Sequence, residues 1–407
     1  MNIRETAPRI SELEKISTRT DTRDYLAKAA GTTEKLKDWL VVDVDAHVNE
    51  TSFWSEVTER IDNDVLRYIA QAFRERTGAP PGLINLNGPL FQDVAGRIMH
   101  QQALAEQTPP GLHRQVQLCQ RAMDAMGIDY MVVFPTPMLS LGMHPQADAE
   151  VALGNAYNRW LIDRILSADD RIKSLIYLPF NTPQEAERTV KALGDKKGVI
   201  GFCVTSTRNK PVHHNDYMRL YSMIEQTGKP LAFHAGYHWQ DPSLATVNRF
   251  LGMHALGFAW CNMVHMTNWV LNGIPERFPK LKSLWVESGL AWVPFLMQRL
   301  DDQYLMRPSE APQLKRLPSE YMNHNCFYTT QPMETTHPKA LENTFEMIKA
   351  ETQLMFSSDW PHYDFDLPQE ICDLPFLSEP AKRNILGLNA ARIFNLDPTP
   401  VKKLIAA

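Results

Sequence analysis

Eight short runs rich in β-branched and aromatic residues, separated by stretches of helical period, constrain this chain more than any other feature. The runs are Leu40–Asp45, Tyr130–Phe134, Ser174–Leu178, Val199–Val204, Leu231–His234, Leu284–Glu287, Cys326–Thr329 and Leu354–Ser358. Between them the spacing predicts helices over Arg114–Met126, Ala147–Ser167, Pro183–Leu193, Tyr217–Gln226, Ala291–Tyr304 and Pro338–Lys349, several opened by Pro, Asp or Thr. Strands that alternate with helices pair in parallel, because a parallel neighbour needs a long crossover. About eight such repeats close on themselves. The expectation is an α/β fold, a (β/α)8 TIM barrel. An open doubly wound sheet is the alternative, but no Gly-x-Gly-x-x-Gly follows the first run.

Two stretches break the rhythm. Residues 51–112 are too long for an ordinary βα loop and contain Ala79-Pro80-Pro81-Gly82 and Pro109-Pro110-Gly111. On a barrel they would cover the C-terminal face as a lid or pocket wall. The second stretch, Trp239 to about Asn272, is rich in Met, Phe, Trp and His and reads as a further insertion. Residues 1–38 mix charges with scattered leucines and are expected to form an N-terminal helical arm, ahead of a barrel domain over 39–400. Such an arm would suit a homo-oligomer.

Composition excludes several partners. A net charge of -5 gives no electrostatic footprint for nucleic acid. No run approaches the roughly 18–20 apolar residues of a membrane span. The first residues, MNIRETAPRISELEK, have neither apolar core nor cleavage site, so a cytoplasmic location is expected. The five cysteines are dispersed with no Cys-x-x-Cys spacing and read as reduced thiols; Cys203 sits in an apolar run with no base beside it. A small-molecule substrate is the expected partner.

The ends of the strands carry the chemistry. At period two, Asp43, Asp45 and His47 project from one face of the first strand, and Val42, Val44 and Ala46 from the other. A carboxylate and an imidazole two residues apart can reach one cation, and this mixed set suits Zn, Mn or Fe better than Mg or Ca. A hydrogen-bonded polar strand end would show the same residues. The other ends decide between them: His234 and His238 follow the fifth strand, Glu287 closes the sixth, and Ser358-Asp359-Trp360-Pro361-His362 closes the eighth. A barrel brings all these ends to one mouth.

Three motifs resemble the amidohydrolase superfamily, in its amidohydrolase 2 branch of aminocarboxymuconate-semialdehyde and resorcylate-type decarboxylases and related hydrolases. They are Gly273 to Lys282 with Glu287-Ser288-Gly289-Leu290-Ala291-Trp292-Val293-Pro294 and Arg299-Leu300-Asp301; Ser358 to His362; and Ile385 to Phe394. The resemblance spans about His47 to Leu396 and implies a metal held by Asp45, His47, His234 and Asp359. Members with decarboxylase activity often carry His-x-His or Glu-x-His on the first strand, and many of the superfamily have His on the sixth, where this chain has Asp45-x-His47 and Glu287. With Glu287 and Glu50 as further ligands, one or two ions per chain are expected.

Asp359 is then the expected base, and His238 either the acid or oxyanion donor or a loop histidine satisfied by backbone groups. His265, in a predicted helix beside Met263 and Met266, could touch substrate or simply pack; His362 is expected to orient Asp359. His213-His214 and His144 fit capping and turn roles. The expected activity is metal-dependent hydrolysis of a small organic acid or amide by an activated water. Non-oxidative decarboxylation of a carboxylic acid and oxygen-dependent hydroxylation at a dinuclear Fe or Mn centre are the alternatives. A mixed oligomer with a paralogue, in which this chain is an inactive partner, is the non-enzymatic reading.

Overall fold

The structure, a computed structural model, describes residues 26–27, 29–77, 107–205, 210–236, 241–362 and 364–402. Eight parallel strands form one sheet in sequence order: β1 Val42–Val48, β2 Tyr130–Pro135, β3 Ile172–Tyr177, β4 Val199–Thr205, β5 Leu231–His234, β6 Ser283–Val286, β7 Cys326–Thr329 and β8 Leu354–Met355. After them come, in turn, α1 Arg114–Met126, α2 Ala147–Leu161, α3 Pro183–Leu193, α4 Met218–Thr227, α5 Phe250–Leu271, α6 Trp292–Met306, α7 Pro338–Met347 and α8 Asn389–Phe394. The barrel closes where the chain after β8 returns to β1. Val44 N donates to Phe356 O at 3.0 Å, Asp359 N to Asp45 O at 2.8 Å and His47 N to Trp360 O at 2.7 Å. The expected (β/α)8 barrel is the observed one.

Two buried clusters show how the strands face. Val42 and Val44 pack with Val132, Phe134, Leu175, Ala232 and Val286, while Ala46 and Val48 join the larger cluster with Met131, Val133 and the helices. Between Val44 and Ala46 the alternation therefore slips, and the β1–β2 register shifts between Asp43 and Ala46. A bulge adds one residue to one strand and re-aims the side chains beyond it. The strict alternation expected for β1 is corrected accordingly. Asp43 turns to Ser358, accepting from its amide at 2.9 Å and its hydroxyl at 2.5 Å as well as from the Asp45 amide at 3.2 Å, and it is in neither of the metal-capable groups that hold Asp45 and His47.

The residues read as a second insertion are the barrel's own fifth helix. α5 is apolar around most of its circumference, and only its polar residues depart from the pattern: Asn262 and His265 are buried, and Asn262 Nδ2 donates to Val286 O at 3.3 Å. No helix among the described residues is long and apolar enough to cross a membrane.

Of the arm, Leu26, Ala29 and Leu36 are buried in the main core, so its described part packs on the barrel. The insertion after β1 includes helices Trp54–Thr58 and Asp64–Thr77, with Trp54, Val57 and Ile61 in the same core. Residues 1–25 and 78–106 lie outside the described residues.

At the opposite end from the strand termini, buried Asp129 accepts from the amides of Val41, Val401 and Lys402 at 2.8, 2.6 and 2.8 Å. Its carboxylate also meets Lys402 Nζ at 3.0 Å. One carboxylate thereby ties the approach to β1, the start of β2 and the chain beyond α8.

Candidate metal centre

Asp45 and His47 on β1, His234 ending β5 and Glu287 just past β6 each present a ligand atom within 4.8 Å of the others, and all four are buried. His47, Asp359 and His362 form an adjoining group on the same criterion. His234 Nε2 lies 3.1 Å from Asp45 Oδ1; His47 Nε2 lies 3.1 Å from Asp359 Oδ1, 3.5 Å from Asp45 Oδ1 and 3.9 Å from Glu287 Oε2.

Backbone carbonyls set the protonation of both imidazoles. His47 Nδ1 lies 2.9 Å from Pro135 O, and His234 Nδ1 lies 2.8 Å from Ala235 O. A carbonyl only accepts, so each Nδ1 donates, and in the neutral imidazole that binds a metal each Nε2 then turns a lone pair toward the carboxylates. Two lone-pair nitrogens among three buried carboxylates form a donor set for a divalent cation, since acceptors converging without a cation repel one another. The residues fit such an ion.

Backbone conformation supports the same reading. Among the described residues, four other than glycine have positive φ, and two of them are Glu287 at 47° and Asp359 at 62°. A non-glycine residue in the left-handed region costs of order 1 kcal/mol or more and persists where the surroundings impose it. Here hydrogen bonds impose it: the Glu287 amide donates to Thr329 Oγ1 at 3.2 Å, and the Asp359 amide to Asp45 O at 2.8 Å. His362 Nδ1 meets Asp359 Oδ1 at 2.6 Å, the orienting contact expected for it.

Not every expected site residue joins the centre. Glu50 is buried, but its oxygens accept from Thr136 N at 3.0 Å and Met138 N at 2.7 Å, so the carboxylate pins the loop after β2 and is not brought into either metal-capable group. His265 is buried on α5 and belongs to neither group. His238 lies outside the described residues. Cys203 is core, its thiol pushed well up by burial. His144 and His214 accept from the amides of Gln146 and Asp216, as turn and cap residues do.

Burial raises the Glu50 carboxyl to about 7, the two amide donors opposing that shift. A folded state that holds this proton while the unfolded chain has released it loses stability as pH rises from about 4.5 to about 7. Urea unfolding across that window is expected to show this slope, at most about 1.4 kcal/mol per pH unit for one proton. Glu50→Gln is expected to flatten it while lowering stability overall, because the amide NH2 faces a backbone donor.

Beside the centre lies a cavity of about 460 Å3 that sequence reasoning did not find. Ser288 and Gly289, next to Glu287, open it; Phe258, Trp292 and Phe365 supply apolar wall, and His254, Asp364, Asp366 and Glu370 supply polar wall. Gly289 has φ 72°, and a Cβ there would collide with Glu334 Oε1. Glu334 receives the Leu290 and Ala291 amides ahead of α6, both at 3.1–3.3 Å. A second cavity, of about 680 Å3, lies between His213–Met218 and Asn272–Arg277 and shares no residue with the centre.

Fold and site together define a barrel with buried groups able to hold a divalent metal at the ends of strands 1, 5, 6 and 8. The chain belongs to the amidohydrolase family: the Amidohydrolase family profile matches residues 113–396. It is an enzyme of that superfamily. Gamma-resorcylate decarboxylase of Rhizobium radiobacter is 24% identical over 287 residues, 68% of this chain and 86% of that protein. The crystal structure of 5-carboxyvanillate decarboxylase from Sphingomonas paucimobilis is similar with a TM-score of 0.65 at 21% identity, over 88% of this chain and 100% of that one. Dihydroxybenzoic acid decarboxylase from Polaromonas sp., solved with bound manganese and 2-nitroresorcinol, gives 0.59 at 19% identity, over 88% and 97%.

Proposed function

We propose that this protein is a metal-dependent, non-oxidative decarboxylase of a hydroxylated aromatic acid. The observation that carries the reading is the buried Asp45, His47, His234 and Glu287 group with the Asp359–His362 pair at its edge, in a chain whose relatives named above are decarboxylases of aromatic acids. Those relatives favour decarboxylation over the hydrolysis expected from the sequence. A divalent ion at this centre would act as a Lewis acid toward the substrate's oxygens. Three carboxylates against two imidazoles suit manganese well, and a related structure holds manganese.

The protein's own groups supply the rest. Trp292, Phe258 and Phe365 offer aromatic faces to a ring in the adjoining cavity. The Asp359–His362 pair, joined by a 2.6 Å contact, would share a proton and serve as the acid that gives it to the ring. As the bond from ring carbon to carboxylate breaks, carbon dioxide leaves and the electron pair stays on that carbon. The proton from the pair completes the new C–H bond, and solvent reprotonates the pair. Complete burial of Asp359 and His362 keeps bulk water from competing for that step. The hydroxylation alternative needs ligands for two ions, and the amide-bound Glu50 is not among them.

The test is carbon dioxide release from 2-hydroxybenzoate and 2,6-dihydroxybenzoate by manganese-loaded protein, with the phenol product measured beside it. Equal amounts of both products are expected. Intact benzoates, together with rapid hydrolysis of aryl esters, lactones or amides by the same preparation, would sink the reading. Stripping the metal with a chelator is expected to abolish turnover and lower the thermal midpoint, both restored by Mn2+. Binding at 100 times Kd contributes about 2.7 kcal/mol.

A further inference from the structure

One peptide group stands between a buried acid and a metal-capable imidazole. Pro135 O receives the Nδ1 proton of His47 at 2.9 Å, and the amide of Thr136 donates to Glu50 Oε2 at 3.0 Å. That carbonyl and that N–H belong to the same planar unit, the Pro135–Thr136 peptide, and in its trans form they point in opposite directions. Glu50 and His47 therefore hold one rigid plate from its two sides, with no hydrogen bond between them.

The rest of the loop fixes where that plate sits. Glu50 Oε1 accepts from Met138 N at 2.7 Å, Thr136 Oγ1 donates to Val48 O at 3.1 Å, and Leu139 N donates to Thr136 O at 3.2 Å. Glu50 is 0% exposed, and a neutral acceptor could pin a loop with less desolvation than an acid. What the acid adds is polarisation, because hydrogen bonds in a chain strengthen one another by about 10–30% per bond. Drawing on the Thr136 N–H makes Pro135 O more negative. That oxygen then holds the His47 proton more firmly, which makes His47 Nε2 a stronger ligand.

We propose that Glu50 is a positioning residue of the metal centre: through the Pro135–Thr136 peptide it orients the His47 ring and raises the basicity of His47 Nε2 toward the ion. The arrangement is a carboxylate–histidine pair with a peptide group inserted in the middle. It accounts for an acid three residues beyond His47 that is fully buried yet joins neither group of ligand atoms. This rests on the metal centre that the proposed function also uses, whichever reaction the ion supports.

The test measures Mn2+ affinity by competition with a chelator, and the His47 Nδ1 proton by NMR of 15N-histidine-labelled, Zn2+-loaded protein. Glu50→Gln keeps the shape but draws less on the Thr136 N–H. It is expected to bind Mn2+ about 10–100-fold more weakly, the range for partners of metal-bound histidines. Its His47 Nδ1 proton is expected to move upfield, while that of His234, held by Ala235 O, stays in place. Asp129→Asn, at the opposite end of the barrel, lowers stability without touching these hydrogen bonds and is expected to leave both readings at their wild-type values. If Glu50→Gln fails to fold, Glu50→Asp, one methylene shorter, is expected to change both readings in the same direction. Wild-type affinity in the folded variant, an unmoved His47 signal, or equal changes in Asp129→Asn would overturn the role of Glu50. Failure of the wild-type protein to bind Mn2+ would overturn the metal centre and this role with it. Carbon dioxide release from 2-hydroxybenzoate in the same samples reports separately on the decarboxylase reading.

Discussion

Asp359→Asn is expected to lower kcat for decarboxylation by about 10^3-fold, within the 10^2–10^4 range of a positioned acid, while the protein stays folded. The asparagine keeps the side-chain shape and one acceptor toward His362 but cannot hold the shared proton of the 2.6 Å contact or complement a cation near His47. Metal content, measured by mass spectrometry on protein purified without chelators, is expected to fall in the same variant. Glu287→Gln separates the roles: it removes a carboxylate from the group of four and leaves the Asp359–His362 pair intact, so it is expected to weaken metal affinity more than the turnover of saturated enzyme. Turnover of Asp359→Asn within tenfold of wild type would remove Asp359 from the chemistry.

The largest effect on stability is expected far from the centre. Asp129→Ala should cost about 3–5 kcal/mol, because it leaves the ammonium of Lys402, 3% exposed, buried without its counter-charge. Three backbone amides lose their acceptor with it. Urea unfolding of Asp129→Ala, Lys402→Met and the double variant would measure this. The double variant should recover part of the loss, since removing both charges costs less than stranding one. A single-variant loss below about 1 kcal/mol would show that the site stays hydrated.

Much of the barrel was legible in the chain because its signals are local. β5 and β7 match the expected runs to the residue, as do α1 and α3, where β-branched clusters and Pro, His or Gly caps mark the ends within a few residues. β8 was overestimated: only Leu354 and Met355 keep ladder geometry, because the chain beyond them bends to close the barrel on β1. The stretch that forms α5 reads as an insertion whose apolar residues pack more readily than they line a pocket; it is the barrel's own helix, with Met253, Met266 and Trp269 buried while Phe258 lines the cavity, and apolar residues on most sides obscure its helical period.

Of the site, the sequence by itself determined which groups stand at strand ends: Asp45, His47, His234, Glu287 and Asp359 each follow a β-branched or aromatic run, and a closed parallel barrel sends all such ends to one mouth. Only the tertiary structure decided which of these acids converge. A bulge in β1 turns Asp43 to Ser358 while leaving Asp45 and His47 together; the amides after β2 claim Glu50; and the chain beyond β8 folds Asp364, Asp366 and Glu370 against α5 and α6. The physical reason is that a side chain's type and period are written in its neighbours along the chain. Its partner is chosen by which hydrogen-bond donors the closed fold places within about 3 Å, and those donors lie as far away as the 315 residues between Asp43 and Ser358.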